Sequence, residues 1–466
     1  VSVGCARRLS RVAGDGRAAA PVRILHLGLG SFFRAHQCWY SEHAPDAEQW
    51  GIAAFTGRSS SALVRELDAQ RGLYTVLTRD TGEDRFERVS SLSRAHAASA
   101  HDAWLSYFRQ QRLAVVTVTV TEAGYLASAG GGLEIGHHAL QADLEALRRD
   151  RCAPVRTAAA RLLAGLAARR EADGGPLALV PCDNLADNGL LAGRIVRELA
   201  ELLDAPLATW IAESLSVVST VVDRITPATT AQDVQIVLRS TGRDDRCPVV
   251  TEPFSEWVLS GSFPAGRPRW EDAGAIVTDD LRPFEQRKLW LLNGGHSLLA
   301  YAGSIAGHET VADAILDETC RFWLAQWWDA VAPHLQQPAG EIADYKASLL
   351  QRWANPRIAH RLAQIAADGS QKLPIRILPV LRAERCAGRL PAGATRVLAA
   401  WICHLRGNGA PVSDPCAAEY VELAAGPRDE AVKRVLGKLD PDLGDDTEVI
   451  SITAAQCREL APVSGR

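Results

Sequence analysis

At 466 residues the chain exceeds what one ordinary hydrophobic core serves, so two domains are expected. Its 47% hydrophobic and 23% charged content is that of a globular protein in water, and a net charge of −4 offers no basic face to nucleic acid or an anionic membrane. Its apolar runs are far too short for a bilayer-spanning helix.

Ten cysteines, at 5, 38, 152, 182, 247, 320, 386, 403, 416 and 457, never fall in a CxxC. In a chain this long such scatter suggests reduced thiols rather than a disulfide framework, so a cytoplasmic protein is expected. Residues 1–20 are rich in Arg, Ala and Gly and lack the apolar segment of a secretory signal; they read as a flexible tail.

Val22–Leu27 (VRILHL) is an apolar run that ends in Gly28-Leu29-Gly30-Ser31 and continues as Phe32-Phe33-Arg34-Ala35. Strand, glycine turn and helix start follow one another in a G-x-G-x-x-x-A variant of the dinucleotide fingerprint. Glycine permits the tight turn and the close approach of a pyrophosphate to backbone N–H groups. Gly28, Gly30, Ser31, Phe32 and Arg34 are therefore candidate cofactor contacts, although a plain strand-to-helix turn accounts for the same residues. A second strand, over 50–55, is followed by Thr56-Gly57-Arg58-Ser59-Ser60. No Asp or Glu stands at its end to take a ribose diol, and Arg58 with its serines suits a 2′-phosphate. NAD and NADP both stay open.

Residues 113–120 (LAVVTVTV) read as a buried β-branched strand. It ends at Thr121-Glu122-Ala123-Gly124-Tyr125, where polar residues after a strand line the ligand crevice of an α/β sheet; Glu122 is the candidate there. Helical patterns follow over 138–149 and 155–170. Residues 177–181 form another buried strand, which delivers Cys182-Asp183-Asn184-Leu185-Ala186-Asp187-Asn188-Gly189. Asp183 or Asn184 also fits the cap of the next helix. Residues 217–222 lead into Asp223-Arg224-Ile225-Thr226-Pro227, again a carboxylate straight after an apolar run. The segment 248–280, with EPFSEWV and GRPRW, reads as strand and loop close to the sheet.

Beyond Arg282-Pro283 the pattern is mostly helical, with loops around 337–340, 406–415 and 439–445. Strands alternating with helices, then helices alone, define the expected fold class as α/β. An N-terminal Rossmann-like nucleotide-binding domain over 21–282 precedes a mostly α-helical C-terminal domain over 283–466. The helix that opens the second domain, 285–302 (EQRKLWLLNGGHSLLAYA), is apolar yet carries Glu285, Lys288, Asn293 and His296. At about 100° per residue, with Lys288 at zero, Glu285 falls near ~60°, His296 near ~80° and Asn293 near ~140°. One face thus presents an acid, an amine, an amide and an imidazole, whose burial is costly unless they are paired or used. Gly294 and Gly295 invite either a close approach or a break in the helix. Lysine occurs only at 288, 346, 372, 433 and 438, against 51 basic residues in all. A desolvated lysine can serve as a base where arginine cannot, which singles out Lys288. This helix is expected to face the cofactor crevice, since ligand sites favour domain interfaces.

Other motifs compete. Gly307-His308-Glu309 looks like a piece of the zinc alcohol dehydrogenase signature, but no cysteine ligand lies nearby in the sequence and no CxxC lobe exists. His137-His138, His96 and His101 read as surface histidines, and Cys182 has no histidine partner to make it a nucleophile. Asp368-Gly369-Ser370-Gln371-Lys372-Leu373-Pro374 reads either as a turn after a helix around 356–367 or as a substrate-binding loop.

The combination GLGSFFRAHQ, TVTEAGY, CDNLADNG, VDRITPAT, EPFSEWV with GRPRW, and KLWLLNGGHSLLAYAG resembles the mannitol dehydrogenase family, from about residue 22 to beyond 380. These are long-chain, metal-independent polyol and sugar-acid dehydrogenases with a Rossmann-like domain followed by a helical one. The K-x4-N-x2-H pattern at Lys288, Asn293 and His296 is the specific element. The resemblance implies Lys288 as general base, Asn293 and Asn184 as amide donors to the developing alkoxide, and His296 and Asp223 as substrate-positioning groups. It further implies Glu285 as a proton-relay residue and Lys372 as a substrate contact. Two positions depart from the family: Phe33 stands where a His is common, and Gln364 where mannitol dehydrogenases often carry an Arg. With DGSQKLP, Gln364 leans toward the fructuronate reductase branch.

The expected function is therefore an NAD-dependent oxidoreductase, NADP not excluded and no metal required, interconverting a secondary alcohol and a ketone on an open-chain hexitol or hexonate. D-mannonate/D-fructuronate and D-mannitol/D-fructose lead. Mannitol 1-phosphate 5-dehydrogenase is an alternative, with Arg357, Arg361 and Arg376 read either as phosphate ligands or as solvated surface charges, and a non-catalytic nucleotide sensor a remote one. The expected partner is a small polyol or sugar acid, with neither nucleic acid nor membrane; oligomeric state is not readable.

Overall fold

Six short apolar strands carry the first part of the chain: β1 (Val22–Leu27), β2 (Gly51–Phe55), β3 (Leu92–His96), β4 (Val115–Val118), β5 (Leu177–Pro181) and β6 (Leu215–Val217). The structure, a computed structural model, describes residues 7–57, 61–128 and 131–460, with the backbone alone at Ser61, Glu122 and Ala123. The chain divides into two units, Val1–Leu281 and Arg282–Arg466. In the first, the strands line up as β3-β2-β1-β4-β5-β6 with every neighbouring pair parallel. The chain moves outward from β1 through β2 and β3, then returns to the other side of β1 as β4. The strand order reverses between β1 and β4, the place where open α/β sheets bind ligands.

Successive strand residues point to opposite faces, and both faces are covered. Leu25, Leu27, Phe55, Val116, Val118 and Leu179 pack with apolar residues of the helices His101–Phe108, His138–Arg149, Ala158–Glu171 and Asn188–Leu203. On the other side Ile24, Ile52, Val115 and Val180 pack with Phe33, Tyr40, Trp257 and Trp270. Arg169 is fully buried and satisfied: its guanidinium donates to Phe108 O, Gln110 O, Leu113 O and Gly175 O, which ties the loops leading into β4 and β5 to one helix.

Two expectations need correction. The apolar run at 217–222 is two strands, not one. It breaks at Val218, so that β6 ends the parallel sheet while Ser219–Asp223 pairs antiparallel with Glu256–Ser260. The 248–280 segment, expected as strand and loop, forms small side sheets, with Val249–Thr251 pairing Tyr74–Arg79. The supposed flexible tail is also packed over its described part. Arg7–Arg8 pairs parallel with Arg243–Asp244, Leu9 is 1% exposed, and buried Asp15 takes an ion pair from Arg243. An apolar residue and a carboxylate with a partner provide the anchor that composition alone does not reveal.

Every named element among the described residues of the second unit is a helix. A continuous rod over 282–303 opens it, and the helix Ala392–Leu405 lies at its centre, buried from Gly393 to Leu405. A Cβ on Gly393 would come 2.4 Å from Gln326 O, so glycine is what lets this helix meet Glu318–Val331 backbone to backbone. The stretches expected as loops near 337–340 and 439–445 are helical in part: Ala339–Trp353 and Pro441–Asp445 fill them.

Candidate active site

The glycine turn sits at the carboxyl end of β1, beside β4. Gly28 and Leu29 both donate to Phe55 O at 2.9 Å, and Gly28 has φ +120, outside the range of ordinary side chains. A Cβ there would lie 2.1 Å from Thr119 O, so Gly28 is required by the approach of the β4 end. Gly30 is different: a Cβ would meet only Gly28 O at 3.5 Å, which leaves open space above the start of the helix Ser31–Ala35. No side chain caps that start. An open glycine turn at the reversal point fits a dinucleotide pyrophosphate.

Beneath the turn lies His26, which sequence reading passed over. Its ring stacks on Phe33 with centroids 3.5 Å apart and planes 6° from parallel. Nδ1 is 2.8 Å from Thr117 Oγ1 and Nε2 3.0 Å from Thr119 Oγ1, while the Thr119 hydroxyl donates to Gly28 O at 2.9 Å. Complete burial pushes the imidazole down to about 3. A neutral ring with Nε2–H therefore donates to Thr119, and the chain of bonds ends on the turn's own carbonyl. Phe33 is the residue that covers this ring.

Arg34 is 4% exposed and its guanidinium donates to Gly30 O and Cys247 O, so the structure places it under the turn. Ser31 and Phe32 are half-buried in the first helical turn. Arg58 lies outside the described residues. Glu122 begins the short turn Glu122–Tyr125 after β4, and its side chain is outside the description. At the end of β2 the described residues Phe55, Thr56 and Gly57 offer no carboxylate; the Thr56 hydroxyl accepts from Ala98 N–H.

The loop after β5 is held through Asp183 and Asn188. The Tyr125 hydroxyl donates to Asp183, and buried Asn188 bridges to the next strand, donating to Thr220 O at 3.1 Å and accepting from Thr220 N–H at 2.9 Å. The helix that follows starts after Asp187, in the left-handed region at φ 48, and not after Asp183 or Asn184. Asn184 is thereby left exposed on a pinned loop. Burial raises the Cys182 thiol, which keeps it a thiol. Asp223 ends Ser219–Asp223, opposite Glu256 in the antiparallel register, and is 6% exposed.

The rod of the second unit is not a regular α-helix. Arg282–Arg287 is α-helical, Lys288–Gly294 is a π-helix, Gly295–Leu298 returns to α, and Leu299–Gly303 is π again. In a π turn the hydrogen bonds close five residues apart, so Asn293 comes round toward Lys288 instead of standing ~140° away as α geometry requires. The glycines do not break the rod: Gly294 and Gly295 both have right-handed helical backbone. Their lack of a Cβ admits indole rings. A Cβ on Gly294 would lie 2.7 Å from Trp327 Cζ2, and one on Gly295 2.8 Å from Trp353 Cη2. Trp327 Nε1 donates to Trp290 O at 2.9 Å and Trp328 Nε1 to Leu291 O at 3.0 Å, bracing the widened turn.

Lys288 is 8% and His296 6% exposed; Asn293 and Glu285 are half-buried. Burial first, then the charges of His360, Arg352 and Arg376, hold the His296 imidazole well below its ordinary range, so it is neutral at pH 7. The loop at Asp368 leads into the helix Gly369–Arg376, with Asp368 at φ 58. Lys372 donates to Ala367 O at 2.6 Å, and Arg376 reaches Asn293 O at 3.4 Å and Ser297 Oγ at 3.2 Å, docking this helix on the rod. The helix expected around 356–367 is one turn, Leu362–Ile365.

His308 also has a cysteine neighbour that its sequence surroundings lack. One ligand atom each of His308, Asp317 and Cys320 lies within 4.8 Å of the others. Asp317 caps the helix Glu318–Val331 through Thr319 and Cys320 N–H, and His308 Nε2 is 3.0 Å from its other oxygen. A helix cap with a histidine behind it accounts for the arrangement.

A parallel sheet of this order, with an open glycine turn at its reversal point, joined to a helical unit bearing a buried lysine and imidazole and a half-buried amide, defines a nucleotide-dependent oxidoreductase of the Rossmann type. Family models agree in both units: the mannitol dehydrogenase Rossmann domain matches residues 22–272, and the mannitol dehydrogenase C-terminal domain residues 280–461. The chain is 33% identical over 462 residues to the D-mannonate oxidoreductase of Escherichia coli (strain K12), covering 95% of this chain and 94% of that one. It is 38% identical over 395 residues to the D-arabinitol 4-dehydrogenase of Ralstonia nicotianae (strain ATCC BAA-1114 / GMI1000), 82% of each. Among solved structures it resembles a substrate-free D-sorbitol dehydrogenase, with TM-score 0.86, 28% identity and 95% and 93% of the two chains covered. It also resembles the Pseudomonas fluorescens mannitol 2-dehydrogenase in ternary complex with NAD and D-mannitol, with TM-score 0.82, 29% identity and 97% and 94% covered. The chain belongs to the mannitol dehydrogenase family, and is with it an NAD(P)-dependent polyol or sugar-acid dehydrogenase. No helix among its described residues is long and apolar enough to cross a membrane.

Proposed function

We propose that the protein interconverts a secondary alcohol and a ketone on an open-chain hexitol or hexonate, using NAD and no metal, in the cytoplasm. D-mannonate/D-fructuronate and D-mannitol/D-fructose are the leading pairs. The observation that carries the reading is the rod: a widened turn draws Asn293 toward Lys288, with the neutral imidazole of His296 one turn further on.

Bound NAD supplies the hydride acceptor. Lys288 takes the hydroxyl proton as the carbon is oxidised, and a buried amine suits that task because burial disfavours its charged form. The amides of Asn293 and Asn184 donate to the oxygen as it gains negative charge, a neutral substitute for a metal. His296, Asp223 and Lys372 hold the remaining hydroxyls, and Glu285 passes the proton on. Gly28, Gly30, Ser31, Phe32, Arg34, Arg58 and Glu122 form or support the cofactor site. NAD is preferred here to NADP, following the relative described in complex with NAD.

The test is direct. Purified protein is offered mannitol, mannonate, arabinitol and mannitol 1-phosphate with NAD or NADP, and the reduced-nicotinamide absorbance is followed. Full activity is expected after exhaustive chelation. A strict zinc requirement, or preference for the phosphate ester, would count against this reading.

A further inference from the structure

Two guanidinium groups and a second imidazole gather around His296. Arg376, at the end of the helix Gly369–Arg376, places its guanidinium on Asn293 O and Ser297 Oγ, on either side of His296 in the sequence. Arg352 precedes Trp353, whose ring packs against the His296 ring with centroids 4.8 Å apart. His360 meets the same ring edge-on at 5.2 Å. His296 Nε2 and His360 Nδ1 are both buried without a hydrogen-bond partner among the described residues. The charges that bear on the His296 imidazole, from His360, Arg352 and Arg376, all act against a positive charge on it.

A neutral hydroxyl needs no such surroundings. An anionic oxygen does: guanidinium groups bind carboxylates through charge-assisted, often paired hydrogen bonds, and a buried imidazole N–H adds a donor without adding charge. Buried polar atoms left unpaired next to a site point to a ligand that pairs them.

We propose that this nest receives the carboxylate of an open-chain sugar acid, with Arg376 as the specificity-determining residue, so that the protein selects a hexonate over the corresponding hexitol. The inference rests on the polyol or sugar-acid reading above and narrows it. In this narrower reading His296 donates to the carboxylate and not to a hydroxyl, while Arg376 recognises its charge. Arg376 also braces the carbonyl of Asn293, so loss of the guanidinium affects the two substrate classes unequally only if it meets the carboxylate.

The experiment compares kcat/KM for D-mannonate and D-mannitol at saturating NAD in the wild type, Arg376→Met and Arg376→Lys. The wild type is expected to favour the acid by roughly tenfold or more, because a site built for a polar group rejects the analogue that lacks it. Arg376→Met should bring the ratio toward unity, mainly through KM for the acid, and Arg376→Lys should restore part of it. Equal or better use of mannitol by the wild type, or an equal loss on both substrates in Arg376→Met, overturns the proposal and leaves the oxidoreductase reading intact. Turnover of neither substrate overturns both. If the variants do not fold, judged by circular dichroism and gel filtration, inhibition of the wild type decides. D-gluconate inhibiting tenfold more tightly than D-glucitol supports the nest, and equal inhibition refutes it.

Discussion

Trp327 stands where a side chain on Gly294 would begin: a Cβ there would lie 2.7 Å from the indole Cζ2. The same indole donates to Trp290 O, so its position both excludes the methyl group and supports the widened turn. Gly294→Ala must push the ring away or narrow the rod. Overpacking of this kind costs about 1–3 kcal/mol. The variant is expected to unfold at lower temperature and to lose kcat more than cofactor affinity, read by thermal unfolding and steady-state kinetics on one preparation.

Lys288→Ala removes the proposed base. The expected loss in kcat is about 10²–10⁴-fold, the usual worth of general base catalysis. Lys288→Arg should not rescue it, since guanidinium keeps its proton at any working pH. NADH binding, followed by fluorescence, is expected to survive in both. Undiminished turnover in the alanine variant would sink the mechanism.

Gly28 and Gly30 should separate when each is changed to Ala. At Gly28 a Cβ meets Thr119 O at 2.1 Å and the φ is +120, so the turn itself must deform. At Gly30 the nearest atom is 3.5 Å away and the fold has room. Gly28→Ala is expected to lose stability and NAD affinity together, whereas Gly30→Ala keeps its melting temperature and loses affinity alone. Unchanged NAD affinity in Gly30→Ala would place the pyrophosphate elsewhere.

The buried histidine under the turn gives stability a pH dependence. His26 is held at about 3, below its ordinary value of 6.5, because burial disfavours the charged ring. Between those two values the unfolded chain binds a proton that the folded one refuses. Its contribution is therefore fully present above pH 6.5 and is lost as pH falls from there toward 3, at up to about 1.4 kcal/mol per pH unit. His296, also depressed, acts in the same direction. Denaturant midpoints measured from pH 7 to pH 4 should fall less steeply in His26→Gln than in the wild type.

What could be read from the sequence was local. Val22–Leu27 followed by two glycines is a strand and a turn whatever surrounds it, and the lysine-poor composition isolates Lys288 without any structure. The widened turn left no such trace. It depends on indoles 37 residues further along the chain, and nothing within residues 288–294 distinguishes them from an ordinary helix. The break at Val218 was hidden for a related reason: two strands of different sheets are both apolar, so the run looks continuous. Asn184 and Asn188 stand four residues apart in one polar stretch after β5, although Asn188 is already the first residue of the next helix. Only the bonds to Thr220 show which of them holds the loop and which it presents.

The widened turn also means that the spacing between Lys288 and Asn293 is set by chain length more than by side chains. Removing one residue between them would let the rod relax into the commoner α-helical path, with every chemical group still present. Such a deletion should therefore be more damaging than most substitutions in the stretch. By the same logic, any homologous chain aligned across this stretch with a one-residue gap has lost the Lys288–Asn293 spacing, however well its individual residues match.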